Sequence, residues 1–378
     1  MASRWRHHAV ALGAVGAAAV LVGFATSGPK ARPHLPPRTA ARALAPAPVP
    51  RQSHRMRPTQ FLVVSFDGSG GVRLWPFWRA VARRANAHFT FFVSGAYLLD
   101  PARRDVYRPP RHVRGASDIG YAQPEGRVSA RVMVRGMLRQ ISLAYRDGHE
   151  IATHYVGHFC SPFAGSVGEW TAADWRQELD QFDDLVFRAS ANNRLRPAFR
   201  LPFGPGEIVG GRTPCLQGNM RVLLPVLAAR GFRYDASQQG VLGTWPWREF
   251  GVWEMPLLEI PFAGHTFRVV SMDYNFFANQ TIAGTPARAV ERQTYLSLWR
   301  AFWTSYHGNR APLSFANHFE TWNGGAYNRA LARVVLRACR LPEVRCVSFR
   351  ELVDWLDAQP RARLRGYRLG KFPRFGHA

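Results

Sequence analysis

Gly148-His149-Glu150-Ile151-Ala152-Thr153-His154-Tyr155-Val156-Gly157-His158 decides how the rest of the chain is read. Residues 150–153 make a short run that follows an amphipathic stretch at 130–146, the order of a helix leading into a buried strand of a parallel sheet. Two histidines stand beyond that run at i and i+4. This spacing puts two imidazoles on one side of a turn, where both reach a single Zn²⁺ at roughly 2.0–2.1 Å. Either histidine alone reads as well as a solvated or core residue.

Outward from this segment the same alternation recurs. Strands are expected at 61–66, 88–93, 150–153, 198–201, 232–234, 257–260, 267–271, 313–316 and 346–349. Helices are expected at 75–86, 130–146, 172–190, 220–229, 286–306, 327–338 and 350–356. The fold class is therefore α/β, one large domain over residues 59–358, with a barrel as the natural closure. Asp67, His154, Arg200 and His318 each stand at or just past a strand end. In a parallel barrel those ends converge on one rim, where such folds place their chemistry. The glycine-rich Gly68-Ser69-Gly70-Gly71 lacks the Lys-Ser/Thr ending of a phosphate loop.

Three segments together resemble the polysaccharide deacetylase family, carbohydrate esterase family 4. Ser65-Phe66-Asp67-Gly68 is similar to its first motif, the 148–158 segment to its second, and Arg200-Leu201-Pro202-Phe203-Gly204 to its third. Gly231 to Ser237, Leu258-Glu259-Ile260-Pro261 and the position of His318 extend the resemblance over roughly residues 59–357. It implies a single distorted (β/α)7 barrel that hydrolyses N- or O-acetyl groups of a glycan. It further implies a divalent metal, Zn²⁺ before others, on His154 and His158, with Asp67 as base and His318 as acid. Arg200 is then expected to orient Asp67, Asp235 to tune His318, and the Phe203 N–H to face the oxyanion. The family's first motif carries a second Asp as metal ligand, and this chain has Gly68. A catalytic zinc normally has three protein ligands, so either Asp67 becomes the ligand and leaves the base role to another group, or a water fills the gap at weaker metal affinity; the alternative is a non-catalytic glycan-binding barrel that has lost metal competence with Gly68.

Charge and composition bear on compartment. The chain has 378 residues, is 47% hydrophobic and carries a formal net charge of +25, so it has a real core and a basic surface. Residues 1–58 and 358–378 hold much of that charge and no acid. Arg4 and Arg6 precede an uncharged run at 9–26, the layout of a signal peptide or membrane anchor over 1–27. Residues 28–58 hold eight prolines and read as an extended spacer, and 359–378 as a basic tail. The expected protein is a secreted monomer, or one anchored to the outer face of the cytoplasmic membrane through residues 1–27. An acetylated glycan is the expected partner, and nucleic acid is excluded. In that compartment the four cysteines are expected as disulfides, Cys160 with Cys215 and Cys339 with Cys346 among the three pairings available. The long 100–127 connection is expected to shape or cover the groove.

Overall fold

The computed structural model describes residues 57–124, 127–280 and 285–372. The expected export segment (1–27), the spacer up to residue 56 and the last residues of the tail lie outside the described residues.

Twelve strands follow in chain order. They are β1 (Gln60–Asp67), β2 (Thr90–Val93), β3 (Glu150–Thr153), β4 (Gly210–Gly211), β5 (Tyr234–Asp235) and β6 (Gln239–Val241). After them come β7 (Trp247–Glu249), β8 (Val252–Glu254), β9 (Leu257–Pro261), β10 (Arg268–Val270), β11 (Leu313–His318) and β12 (Val344–Val347). The main sheet runs β11-β1-β2-β3-β4-β5-β8-β7, with β12 also paired to β1, and every pair in it is parallel except β7 with β8. A second sheet, β10-β9-β6, joins it at one parallel bridge between Met272 and Ala316. The two sheets curl round a common interior with helices outside, so the barrel architecture expected from the alternation is present.

Side-chain parity explains what the interior contains. All eight residues of β1 are buried, as in a parallel strand covered on both faces. Leu62, Val64 and Phe66 join the cluster under the helices, where Phe66 meets Trp78 and Phe91 at 4.5 and 5.1 Å between ring centroids. Phe61 and Val63 join a second cluster with Phe92, Ala152, Tyr234 and Phe349. By the two-residue period, Ser65 and Asp67 share the inner face of Phe61 and Val63, and His154 shares that of Ala152. In β11, Leu313 and Phe315 belong to the outer cluster, which leaves Ala316 and His318 on the other face. Three chemistry-bearing residues therefore point inward because their neighbours two residues earlier do.

The start of the barrel is closed by the chain's end. Helix Phe349–Asp357, opened by a Ser348/Glu351 capping box, sends Phe349, Leu352, Val353 and Leu356 into the inner cluster. The first part of the basic 359–378 segment also folds: helix Arg361–Arg368 buries Leu364 and Tyr367, the latter 5.7 Å from Trp245. Burying one such side chain contributes about 1.5–3 kcal/mol, enough to hold a short, strongly basic helix down.

One expected strand is replaced. Residues 198–201 are loop, and the rung beside β3 is the two-residue β4 instead. The physical reason is local: Phe199 gives its N–H to the Ser190 hydroxyl and its carbonyl accepts from the same group, each at 2.7 Å, so its polar groups are not free for a ladder. Pro197 and Pro202 on either side have no N–H to offer.

Candidate active site

Register sets the rim. Asp67 is paired with His318 across β1 and β11, Val93 with Thr153 across β2 and β3, and Thr153 with Gly211 across β3 and β4. The residues that leave these ends, His318, Asp67, His154 and Arg212, are thus neighbours in space before any side chain is considered.

Asp67 is buried and accepts a 2.8 Å charge-assisted hydrogen bond from Nη1 of Arg212. Arg212 is wholly buried. Its Nη1 also donates to the Ser65 hydroxyl at 2.8 Å and its Nε to the Ala236 carbonyl at 2.8 Å, and its guanidinium lies 4.6 Å from the centre of the Phe92 ring. Burial alone lifts the Asp67 carboxyl, but Arg212, with His154 and His318, outweighs it and holds the group below its usual value. Asp67 is therefore a fixed carboxylate.

The expectation that Arg200 does this is corrected: Arg200 is exposed, in the loop that replaces the expected strand. Phe203 is corrected with it, since its ring stacks on Tyr145 at 4.5 Å and meets Phe187 at 5.8 Å, beside the helix that leads into β3 rather than at the strand's far end. Arg212-Thr213-Pro214 repeats the Arg-x-Pro pattern twelve residues on, and it follows a Gly-Gly pair short enough to be a strand of the rim.

His318 receives its partner from an unexpected place. Asp273, just past β10, accepts from the His318 Nδ1–H and from the His318 backbone N–H, both at 2.7 Å. Burial works against the imidazolium, but Asp273, reinforced by Asp67 and Glu320, carries His318 up to about 9. It is a cation at neutral pH. Asp235 does not touch it, which corrects the tuning role. Asp235 accepts from the Ser237 N–H and hydroxyl at 2.9 Å, and the Ser237 oxygen accepts from the Thr213 N–H at 2.8 Å. That chain props the Arg212 turn. Burial raises the Asp235 carboxyl, and burial together with Asp235, its register partner across β5 and β8, raises Glu254.

The two histidines of the opening segment lie together, ring centroids 5.1 Å apart. His154 gives its Nδ1–H to the Arg212 carbonyl at 2.8 Å, which leaves the Nε2 lone pair unprotonated. Burial, with the charges of His154 and His318, drives His158 down to about 3, and burial lowers His154 too. Both are neutral imidazoles, the form a metal requires. Glu178 holds the loop between them, accepting from the Val156 and Gly157 N–H groups at 3.0 and 3.2 Å and from the Tyr107 hydroxyl. The Cys160–Cys215 disulfide ties this loop to the Arg212 turn, and Cys339–Cys346 forms as expected too. Part of the 100–127 connection packs here, Asp118 giving its N–H to the Gly157 carbonyl at 2.8 Å.

The donor set fits a divalent cation on His154 and His158, two ligands short of a closed tetrahedron. Among the described residues, the group of three His, Cys, Asp or Glu side chains with donor atoms within 4.8 Å of one another is His158 with the two disulfide cysteines, not Asp67 with the two histidines. Position 68 supplies nothing. Gly68 has φ +73°, and a Cβ there would lie 3.2 Å from the Tyr97 ring, which also sits 2.9 Å from a Cβ built on Gly70. Arg212, Asp273, Glu178 and Tyr97 were not read from the sequence. A repeated Arg-x-Pro pointed to the first, and an acid just past a strand end to the second.

No protein-family model and no curated protein matches the chain. Among solved structures, it is similar to one named as a polysaccharide deacetylase of Mycobacterium smegmatis, at 16% identity and TM-score 0.49 over 83% of this chain and 94% of that one. It is similar to the chitin deacetylase of the fungal pathogen Colletotrichum lindemuthianum, at 11% identity and TM-score 0.43 over 85% and 95%. A carbohydrate esterase family 4 pseudoenzyme of Bacillus anthracis is similar at 9% identity and TM-score 0.40 over 79% and 67%. These are likenesses of chain path, and what the site does follows from its own side chains.

Proposed function

We propose that the protein is an exported, metal-dependent deacetylase that hydrolyses N- or O-acetyl groups of a cell-wall or extracellular polysaccharide. The observation that carries this reading is a carboxylate and an imidazolium, Asp67 and His318, paired in register at one rim and held in opposite protonation states by Arg212 and Asp273. Separated acid and base are what hydrolysis of an amide or ester asks for. Asp67 takes the proton of the attacking water as its oxygen bonds the acetyl carbon. His318 gives a proton to the amine or alkoxide as the C–N or C–O bond breaks, and acetate leaves. Arg212 keeps Asp67 aimed and charged while Asp273 keeps the His318 Nε2–H available. A Zn²⁺ held by His154 and His158 would supply polarisation of the carbonyl and a lower pKa for the water. The two disulfides support an oxidising compartment. No helix of the described residues is long and apolar enough to cross a membrane.

A second reading, a glycan-binding barrel without catalysis, is favoured by one observation: Tyr97 crowds position 68, where a Cβ would lie 3.2 Å from its ring. Acetate release from acetylated chitooligosaccharide with added zinc separates the two. Release that disappears in Asp67→Asn and His318→Ala supports the enzyme, whereas glycan binding without release, unaffected by either change, supports the binding module.

A further inference from the structure

The Arg200 segment is a motif left without a part in the rim chemistry, and it lines a cleft of its own. A cavity of about 500 Å³ lies between helix Ala130–Arg146 and the 198–200 loop, walled by Arg139, Ser142, Arg146, Phe199 and Arg200 among others. Arg139 and Arg146 are seven residues apart and so share one helix face. All three arginines are exposed, and among the described residues none has a hydrogen-bond, ion-pair or ring partner. The nearby acids in sequence are already engaged. Asp147 is held by Arg79 and Arg83 at 2.7 and 3.3 Å, and Glu207 by Arg350 at 2.7 Å. The walls are fixed: Arg135 donates to the Pro197 carbonyl at 2.6 Å and Ser190 clamps Phe199 on both sides. The cleft stands beside the start of β3, and His154 leaves its other end, so this is a separate place from the acid–base rim.

Three like charges facing one volume repel each other, and no acid among the described residues pairs with them. An anion between them would gain charge-assisted bonds from planar guanidinium forks, whose geometry matches phosphate oxygens two at a time. The volume lies within the range of small-ligand sites and is roomier than one phosphate needs. We propose that this cleft binds a phosphate-bearing anion, a diphosphate or phosphodiester group, bridged by Arg139, Arg146 and Arg200. The chemistry is shared by a soluble phosphate ester and by the headgroup of an anionic phospholipid.

The test uses the full chain, in chloride buffer at low ionic strength, with pyrophosphate by calorimetry and with phosphatidylglycerol vesicles by cosedimentation, phosphatidylcholine vesicles serving as the neutral control. Arg139→Ala/Arg146→Ala/Arg200→Ala is compared with Arg288→Ala/Arg292→Ala/Arg300→Ala, which removes equal charge from exposed positions of helix Ala287–His307. The expected result is binding that weakens about tenfold or more in the first variant and by less than about twofold in the second. Pyrophosphate binding with that pattern makes a soluble ester the source, and vesicle binding alone makes it the headgroup. Arg200→Lys, which keeps the charge and loses the fork, is expected to fall between. Circular dichroism melting confirms that each variant is folded. Absence of binding to both probes overturns the proposal, and so does equal loss in the two triple variants, which would assign the binding to overall charge.

Discussion

Arg200-Leu201-Pro202 and Arg212-Thr213-Pro214 share one pattern and have opposite fates. The second follows β4, whose two glycines let a strand pass close to Thr153, where a Cβ on Gly211 would come within 2.8 Å of the threonine side chain. Its arginine enters the barrel and bonds Asp67 and Ser65 through Nη1 and the Ala236 carbonyl through Nε. The first sits in a loop whose backbone is taken up by Ser190, and its arginine remains in solvent. A pattern of residue types does not choose between these outcomes; the rung that carries the pattern into the sheet does.

The sharpest way to break this comparison is to truncate both arginines. Arg212→Ala strands a buried carboxylate, and losing one partner of a buried pair costs about 3–5 kcal/mol. Arg200→Ala removes an exposed, unpaired side chain and is expected to change stability by less than about 0.5 kcal/mol. Urea unfolding of the two variants measures the difference. Equal losses would mean that the Asp67–Arg212 pair does not hold the rim.

The second prediction applies the same contrast to the two aspartates, Asp273 and Asp235. The His318 value of about 9 lies above its ordinary 6.5, so the pairing contributes stability fully below about 6.5 and loses it as pH rises through about 9. Activity that needs His318 as acid is therefore expected to hold to about pH 9 and then fall. Asp273→Asn keeps the shape and removes the charge, so its basic limb should move down towards 6.5 with a loss of about 10–100-fold at neutral pH. Asp235→Asn should leave that limb where it is, because Asp235 reaches Ser237 and not His318. A limb displaced by Asp235→Asn and not by Asp273→Asn would reverse the assignment. A pH–rate profile of acetate release reads it.

What the sequence makes visible follows from where the forces are local. Period and register are local, so the inward sets Phe61-Val63-Ser65-Asp67 and Glu150-Ala152-His154 and the positions of most helices could be read from composition. The disulfides were legible because oxidised cysteines have few alternatives. Partner identity is not local. Arg212 and Asp273 reach Asp67 and His318 across 145 and 45 residues of chain, and only the curl of the sheet brings them there. The 198–201 segment was misread because its apolar, β-forming look is overridden by a single serine that satisfies Phe199.

The smallest effect expected concerns Gly68 and Tyr97, and it sharpens the comparison by asking whether the rim can be completed. Gly68→Asp would restore the acid pair of the resemblance. The backbone there has φ +73°, which an L side chain adopts at a cost of about 1–3 kcal/mol, and the new Cβ meets the Tyr97 ring at 3.2 Å. Tyr97 cannot simply retreat, since the same ring already lies over Gly70. Gly68→Asp alone should therefore lower the urea midpoint and leave zinc affinity within about threefold of the wild type, because the strained backbone and the crowding by Tyr97 oppose the placing of the new side chain. Gly68→Asp combined with Tyr97→Ala removes the obstruction and should tighten zinc by about tenfold or more, measured by competition with a chromogenic chelator. The coupling between the two changes is the quantity that matters, and a double-mutant cycle isolates it. If Gly68→Asp alone gains as much zinc affinity as the double variant, Tyr97 is not what closes the position.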